Sequence, residues 1–211
     1  MPIVIQSFLL TVLILASVPV AADAARLRAF LSEVKSFEAA FEQTVQDEKG
    51  RTVESSFGRF YLSRPGRFRW SYTVPYVQEI VSDGNEVWIY DSELAQVTVK
   101  SAREALANAP GLLLSSDRPI EAEFAVADAG RKGDLEWVEL TPKSSDAPFR
   151  RVRMGFRGRD LAEMELADSF GQLTRLRFKG VIKNPHLDPE VFQFVPPEGV
   201  DVMRDTGGKR F

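Results

Sequence analysis

Acid–base chemistry needs a group that titrates near neutrality, and the 211 residues offer one histidine, His186, in the segment NPHLDP. Flanked by two prolines, it reads as a structural or solvated turn residue. Cysteine is absent, which removes a thiol nucleophile, thiolate zinc and a disulfide framework together. Carboxylates are plentiful, but they lie on alternating wet strand faces, as Glu163 and Glu165 do, or in turns. A glycosidase pair stays open on sequence alone, yet no spacing favours one. Asp83, Asn85 and Asp91 offer oxygen ligands without the spacing of an EF-hand loop. No glycine-rich phosphate loop is present. No enzyme activity, metal site or cofactor is expected, and the chemistry that is left is binding.

The residues that stand out for binding are aromatic, with Phe at 15 of 211. Residues 57–72 read FGRFYLSRPGRFRWSY, two strands meeting at an Arg64-Pro65-Gly66 turn. Period two puts Phe68, Trp70 and Tyr72 on one face of the second strand, and Arg67, Arg69 and Ser71 on the other. One strand cannot hide three large rings, so a curved sheet must enclose them. The enclosed apolar space is expected to be a container as well as a core.

The elements for such a sheet follow along the chain. Leu27, Phe30, Leu31 and Val34 fall at i, i+3, i+4 and i+7, the pattern of an amphipathic helix with Asp23 near its start. Residues 36–45, 53–62, 67–72, 77–81, 87–90 and 94–100 then read as strands, with Asp83-Gly84-Asn85 as a hairpin turn. Residues 101–116 break the β rhythm: Ser101 and Glu104 have capping-box spacing, 102–107 favour helix, and Leu112, Leu113 and Leu114 follow Pro110-Gly111. Such a segment, between two sheet halves, is placed as a cover. Strands resume over 121–127, 135–141, 149–156, 161–166, 173–182 and 191–195, with turns at Gly130–Asp134 and elsewhere. Val152, Met154 and Phe156 oppose Arg151, Arg153 and Arg157, and Leu176 and Phe178 oppose Arg175, Arg177 and Lys179. One face is therefore dry and the other wet, as in a single antiparallel sheet with its inside covered. The expectation is a mainly β domain with short helices and about eleven strands, without repeats or linkers.

Composition narrows the partners. With 27 basic and 30 acidic residues and a net charge of −3, nothing suggests nucleic acid or a polybasic membrane anchor. Residues 1–22 carry no charged side chain and end in Val20-Ala21-Ala22, which reads as a secretory leader cleaved after Ala22 or Ala24, although its n-region lacks Lys and Arg. The domain proper is expected over 23–211, as an exported, monomeric protein.

Five stretches in order carry a family resemblance: DAARLRAFLSEVKSFEAAFEQ, LSRPGRFRWSY, IVSDGNEVWIYD, LTPKSSD and FQFVPPEGV. Over essentially its whole mature length, the chain resembles the periplasmic LolA family, the outer-membrane lipoprotein carrier proteins. The resemblance implies an unclosed antiparallel β-barrel of about eleven strands, lidded by short helices. It implies a chaperone that takes the acylated N-termini of lipoproteins from an inner-membrane ABC transporter to an outer-membrane receptor. It makes Arg64 the latch of the lid, pointing inward at lid carbonyls, and Leu106, Leu112, Leu113 and Leu114 the lid itself. Phe60, Leu62, Phe68, Trp70, Tyr72, Met154 and Phe156 are then the expected lipid-binding residues. The alternative on the same fold is a periplasmic lipid- or peptide-sensing regulatory module.

Overall fold

A computed structural model describes residues 22–101, 110–116, 118–145 and 147–204. The expected leader up to residue 21, the helical stretch 102–107 with Glu104, and Leu106 lie outside the described residues. The chain starts with helix α1 (Ala22–Glu33), then lays down β1 (Ser36–Gln46), β2 (Thr52–Ser63), β3 (Arg67–Val74), β4 (Gln78–Asp83), β5 (Glu86–Asp91) and β6 (Gln96–Ser101). Two short helices, α2 (Pro110–Ser115) and α3 (Ile120–Glu123), precede the second run of strands. That run is β7 (Phe124–Lys132), β8 (Leu135–Pro142), β9 (Phe149–Arg157), β10 (Asp160–Asp168) and β11 (Leu173–Lys183). A 3-10 turn (Pro189–Phe192) leads to β12 (Asp201–Arg204).

All twelve strands form one sheet in the order β12-β6-β5-β4-β3-β2-β1-β11-β10-β9-β8-β7. The strands β12 and β7 stand at opposite edges, so the barrel is unclosed, as the family resemblance implied. Every neighbouring pair is antiparallel except β12 on β6. The two strand runs are joined in the middle by β1 against β11, with Phe41 opposite Phe178.

Period-two alternation sorts the faces. Phe37, Ala39 and Phe41 of β1, Phe60 and Leu62 of β2, Phe68 and Trp70 of β3, and Val152, Met154 and Phe156 of β9 are all buried on the concave side. On the convex side the charges pair across strands: Arg59 with Glu38, Lys179 with Glu42 at 2.9 Å, Arg175 with Glu165 at 2.7 Å, and Arg153 with Glu139 at 2.8 Å. Exposed pairs of this kind contribute little stability each, but opposite charges facing each other across a ladder favour this register over a slipped one. The basic runs seen in the sequence are therefore matched by acids on the neighbouring strands.

The helices cover the concave side. Leu27 and Phe30 of α1, and Val34 just beyond it, are buried, and the Phe30 ring meets Phe37 at 6.2 Å and Phe156 at 5.7 Å. Helix α1 lies over β7 and β8, while α2 lies over β2 and β3. The cover is thus split between two helices, each seated on its own half of the sheet.

Three elements differ from the sequence expectation. Residues 191–195 are not a strand: Asp188 caps the 3-10 turn by accepting from the Glu190 amide, and Pro189 fits the first position of such a turn. The last strand is instead β12, whose four residues are all exposed and so carry no burial pattern to read. Residues 121–123 belong to α3, and β7 continues through a bulge between Asp128 and Arg131 to Lys132, which shortens the expected turn there to Gly133-Asp134.

Gly58 shows how tightly the concave face is built. A Cβ at this position would collide with the Ser71 carbonyl oxygen and come within 2.7 Å of the Phe41 ring. Strand β3 and a neighbouring ring occupy the space a side chain needs. Gly58→Ala is predicted to lower unfolding free energy by at least about 2 kcal/mol, since overpacked sites resist relaxation. Chemical denaturation measures this, and a loss under about 0.5 kcal/mol would mean that the adjacent register shift at Phe57 absorbs the methyl group.

Candidate functional site

The concave face is not filled throughout. A hollow of about 530 Å³ lies along the far half of β3, walled by Phe68, Trp70, Tyr72 and Ile80 on one side and by Phe149, Leu166 and Phe170 on the other. Three of the seven expected binding residues, Phe68, Trp70 and Tyr72, meet there because they alternate on β3. The other four, Phe60, Leu62, Met154 and Phe156, do not line the hollow; each is fully buried in the adjoining core. Phe60 is continuous with the wall, its ring 4.6 Å from that of Trp70.

Gln43, Asp168, Ser169 and Thr174 also line the hollow. The Tyr72 hydroxyl donates to Gln43 Oε1 at 3.0 Å, and burial pushes its phenol well above the ordinary value. The buried Trp70 Nε1 has no partner among the described residues. A donor left unpaired in an apolar setting costs about 1–3 kcal/mol.

The turn between β2 and β3 reaches both covering helices. The Arg64 backbone amide donates to the Lys35 carbonyl at 2.8 Å, and its Nη1 donates to the Leu31 carbonyl of α1 at 3.0 Å. Two positions on, the Gly66 amide donates to the Ser115 carbonyl of α2 at 2.9 Å. The carbonyl that Arg64 meets thus belongs to α1, and α2 is held by Gly66. Arg64 Nε and Nη2 are buried without partners among the described residues. Burial pushes the guanidinium down to about 10, so it stays charged at neutral pH. In α2, Leu113 and Leu114 are buried in the cluster that contains Phe68; Leu112 belongs to the same helix.

Sequence reasoning missed Gln43, Ile80, Phe149, Leu166 and Phe170. Ile80 and Leu166 had a signal, since Ile80 stands opposite Trp70 and Leu166 opposite Val152. Phe149 did not: the register shifts between Ala167 and Asp168, so strict alternation along β9 assigns it to the wrong face. Phe170 lies in a turn and is 87% exposed.

A family model described as outer membrane lipoprotein carrier protein LolA matches residues 32–195. The chain belongs to this family. A LolA-family relative from Methylococcus capsulatus, named outer-membrane lipoprotein carrier protein, is 48% identical over 180 residues, covering 85% of this chain and 86% of its own. One of the same name from Chromobacterium violaceum is 48% identical over 183 residues, covering 87% and 88%. Among solved structures, a conserved protein from Thermus thermophilus superposes with a TM-score of 0.55 at 13% identity, covering 87% of this chain and 99% of its own; that likeness concerns the fold alone. The stretch matched by the LolA model holds the hollow, the Arg64 turn and α2, and stops short of β12.

Proposed function

We propose that the chain is a periplasmic lipoprotein carrier, a binding protein rather than an enzyme. It takes the acylated termini of lipoproteins from a releasing ABC transporter in the inner membrane and delivers them to an outer-membrane receptor. No helix among the described residues is long and apolar enough to cross a membrane. The observation that carries the proposal is an apolar hollow on the concave face beside a cover made of two helices.

The magnitudes favour loading by displacement. A triacylated terminus has on the order of 40 methylenes, and exposing them to water costs roughly 30 kcal/mol. At roughly 30 Å³ for each methylene-sized group, about the share of a liquid water molecule, the 530 Å³ hollow takes little more than one chain. The rest must enter space now filled by the cover. Helix α2 is six residues long and is seated through Leu113, Leu114 and the Gly66 bond. Burying two leucines contributes about 3–6 kcal/mol, far below what the acyl chains gain. Lifting α2 and α1 uncovers Phe60, Leu62, Met154 and Phe156, which then extend the wall begun by Phe68, Trp70 and Tyr72.

Incubating the mature protein with lipoprotein-loaded inner-membrane vesicles that contain the transporter and ATP tests this. Acylated protein is expected in the soluble fraction, bound one to one. Cargo that stays wholly in the membrane would refute the carrier.

A further inference from the structure

The concave face changes character along the strands. Toward the Arg64 turn its inward residues are Leu62, Phe60, Phe68 and Trp70, all buried and apolar. In the rungs beyond, the same face of the same strands presents Gln43 opposite Ser56, then Tyr72, Gln78 and Asp91 in one row across β3, β4 and β5. Glu54 follows one step further on the inward face of β2. Period two makes this a continuation of one surface, so the face is greasy at one end and polar at the other.

A second groove, of about 300 Å³, is formed by this polar end, with Glu54, Asp91 and Glu93 in its wall and no lysine or arginine there among the described residues. Gln43 and Tyr72 line both the groove and the apolar hollow, so the two spaces share the wall made by their hydrogen bond. The charge balance sets the groove apart. On the convex face the carboxylates are matched with cations, as in Arg69 with Glu79 at 3.0 Å and Arg177 with Glu163 at 3.4 Å. Glu54 accepts from the Ser56 hydroxyl and Asp91 from the Glu93 and Leu94 amides; these donors are neutral, and among the described residues no cation lines the groove to offset the two charges.

We infer that this groove is a second subsite, which holds the polypeptide immediately following the acylated residue of the cargo and favours segments bearing cationic side chains. The inference rests on the carrier reading and adds to it a preference in the peptide part of the ligand. A lipidated terminus is itself greasy at one end and polar at the other, and chains seated in the hollow bring the following residues to the Gln43–Tyr72 wall. The peptide then meets an acidic groove with low-dielectric sheet behind it, where an acidic segment is repelled and a basic one attracted.

The test uses two synthetic lipopeptides with the same diacylglyceryl-cysteine, one followed by two lysines and the other by two aspartates. The protein is expected to bind the lysine form at least about fivefold more tightly at low ionic strength, the sum of several modest ion pairs. In roughly 1 M salt the preference should shrink toward one. The double variant Glu54→Gln/Glu93→Gln, which leaves the Asp91 turn intact, should lose most of the preference while binding a lipopeptide with two serines as the unaltered protein does. Equal binding of the lysine and aspartate forms by the unaltered protein would overturn the subsite and leave the carrier standing. Failure to bind any lipopeptide would instead remove the carrier reading on which the subsite rests.

Discussion

Phe68→Glu is expected to abolish retention of acylated cargo. Phe68 is fully buried and lines the hollow, so the substitution removes a ring and puts a carboxylate where acyl chains would pack. Loss of a large buried ring costs about 3–5 kcal/mol, and a carboxylate left unpaired in an apolar site adds to that or takes up a proton. For a chain of this size the corresponding fall in Tm is roughly 6–20 °C. Co-purification of cargo reads out retention, circular dichroism at low temperature establishes that the variant is folded, and Phe68→Leu, which keeps the site apolar, should retain cargo. Wild-type cargo ratios in the folded glutamate variant would show that Phe68 is core only.

The second large effect is expected at Arg64. Its guanidinium bonds α1 through the Leu31 carbonyl but buries Nε and Nη2 without partners among the described residues. Removing a charged donor forfeits about 1.5–3 kcal/mol, while removing unpaired buried donors returns about 1–3 kcal/mol each. The two effects oppose each other, so Arg64→Leu should leave the empty protein as stable as before or slightly more stable. Handover is a different matter. The Leu31 bond ties the turn to the covering helix α1, and its loss weakens the drive to close behind departing cargo. Uptake should persist while transfer to acceptor membranes slows by about tenfold or more, the equivalent of that one bond. Transfer at the unaltered rate would dismiss the latch role of Arg64.

Much of this architecture was legible in the sequence because period-two alternation is a direct consequence of strand geometry. It placed Phe68, Trp70 and Tyr72 on one face and the arginines of β9 and β11 on the other, and the hairpin at Asp83-Gly84-Asn85 falls where β4 meets β5. Features that interrupt the alternation were not legible. The register shift at Ala167 hid Phe149, and β12, exposed on both faces, offers no contrast between inside and outside. Alternation also cannot separate a wall from a core: Phe60 and Trp70 share a face and touch, yet only Trp70 borders the hollow. That difference depends on how far the two helices reach over the sheet, which is set by tertiary packing. The sequence reading aimed Arg64 at carbonyls of the lid around Leu112–Leu114, whereas its guanidinium meets the Leu31 carbonyl of α1, a partner fixed by tertiary packing and not by any local pattern.

The absence of any pairing between β7 and β12 among the described residues has a mechanical consequence. A seamless cylinder has a fixed girth, and enlarging it means tearing rungs. Here the wall is a curled ribbon with two margins that do not pair with each other, so a change in its curvature breaks no rung of the ladder.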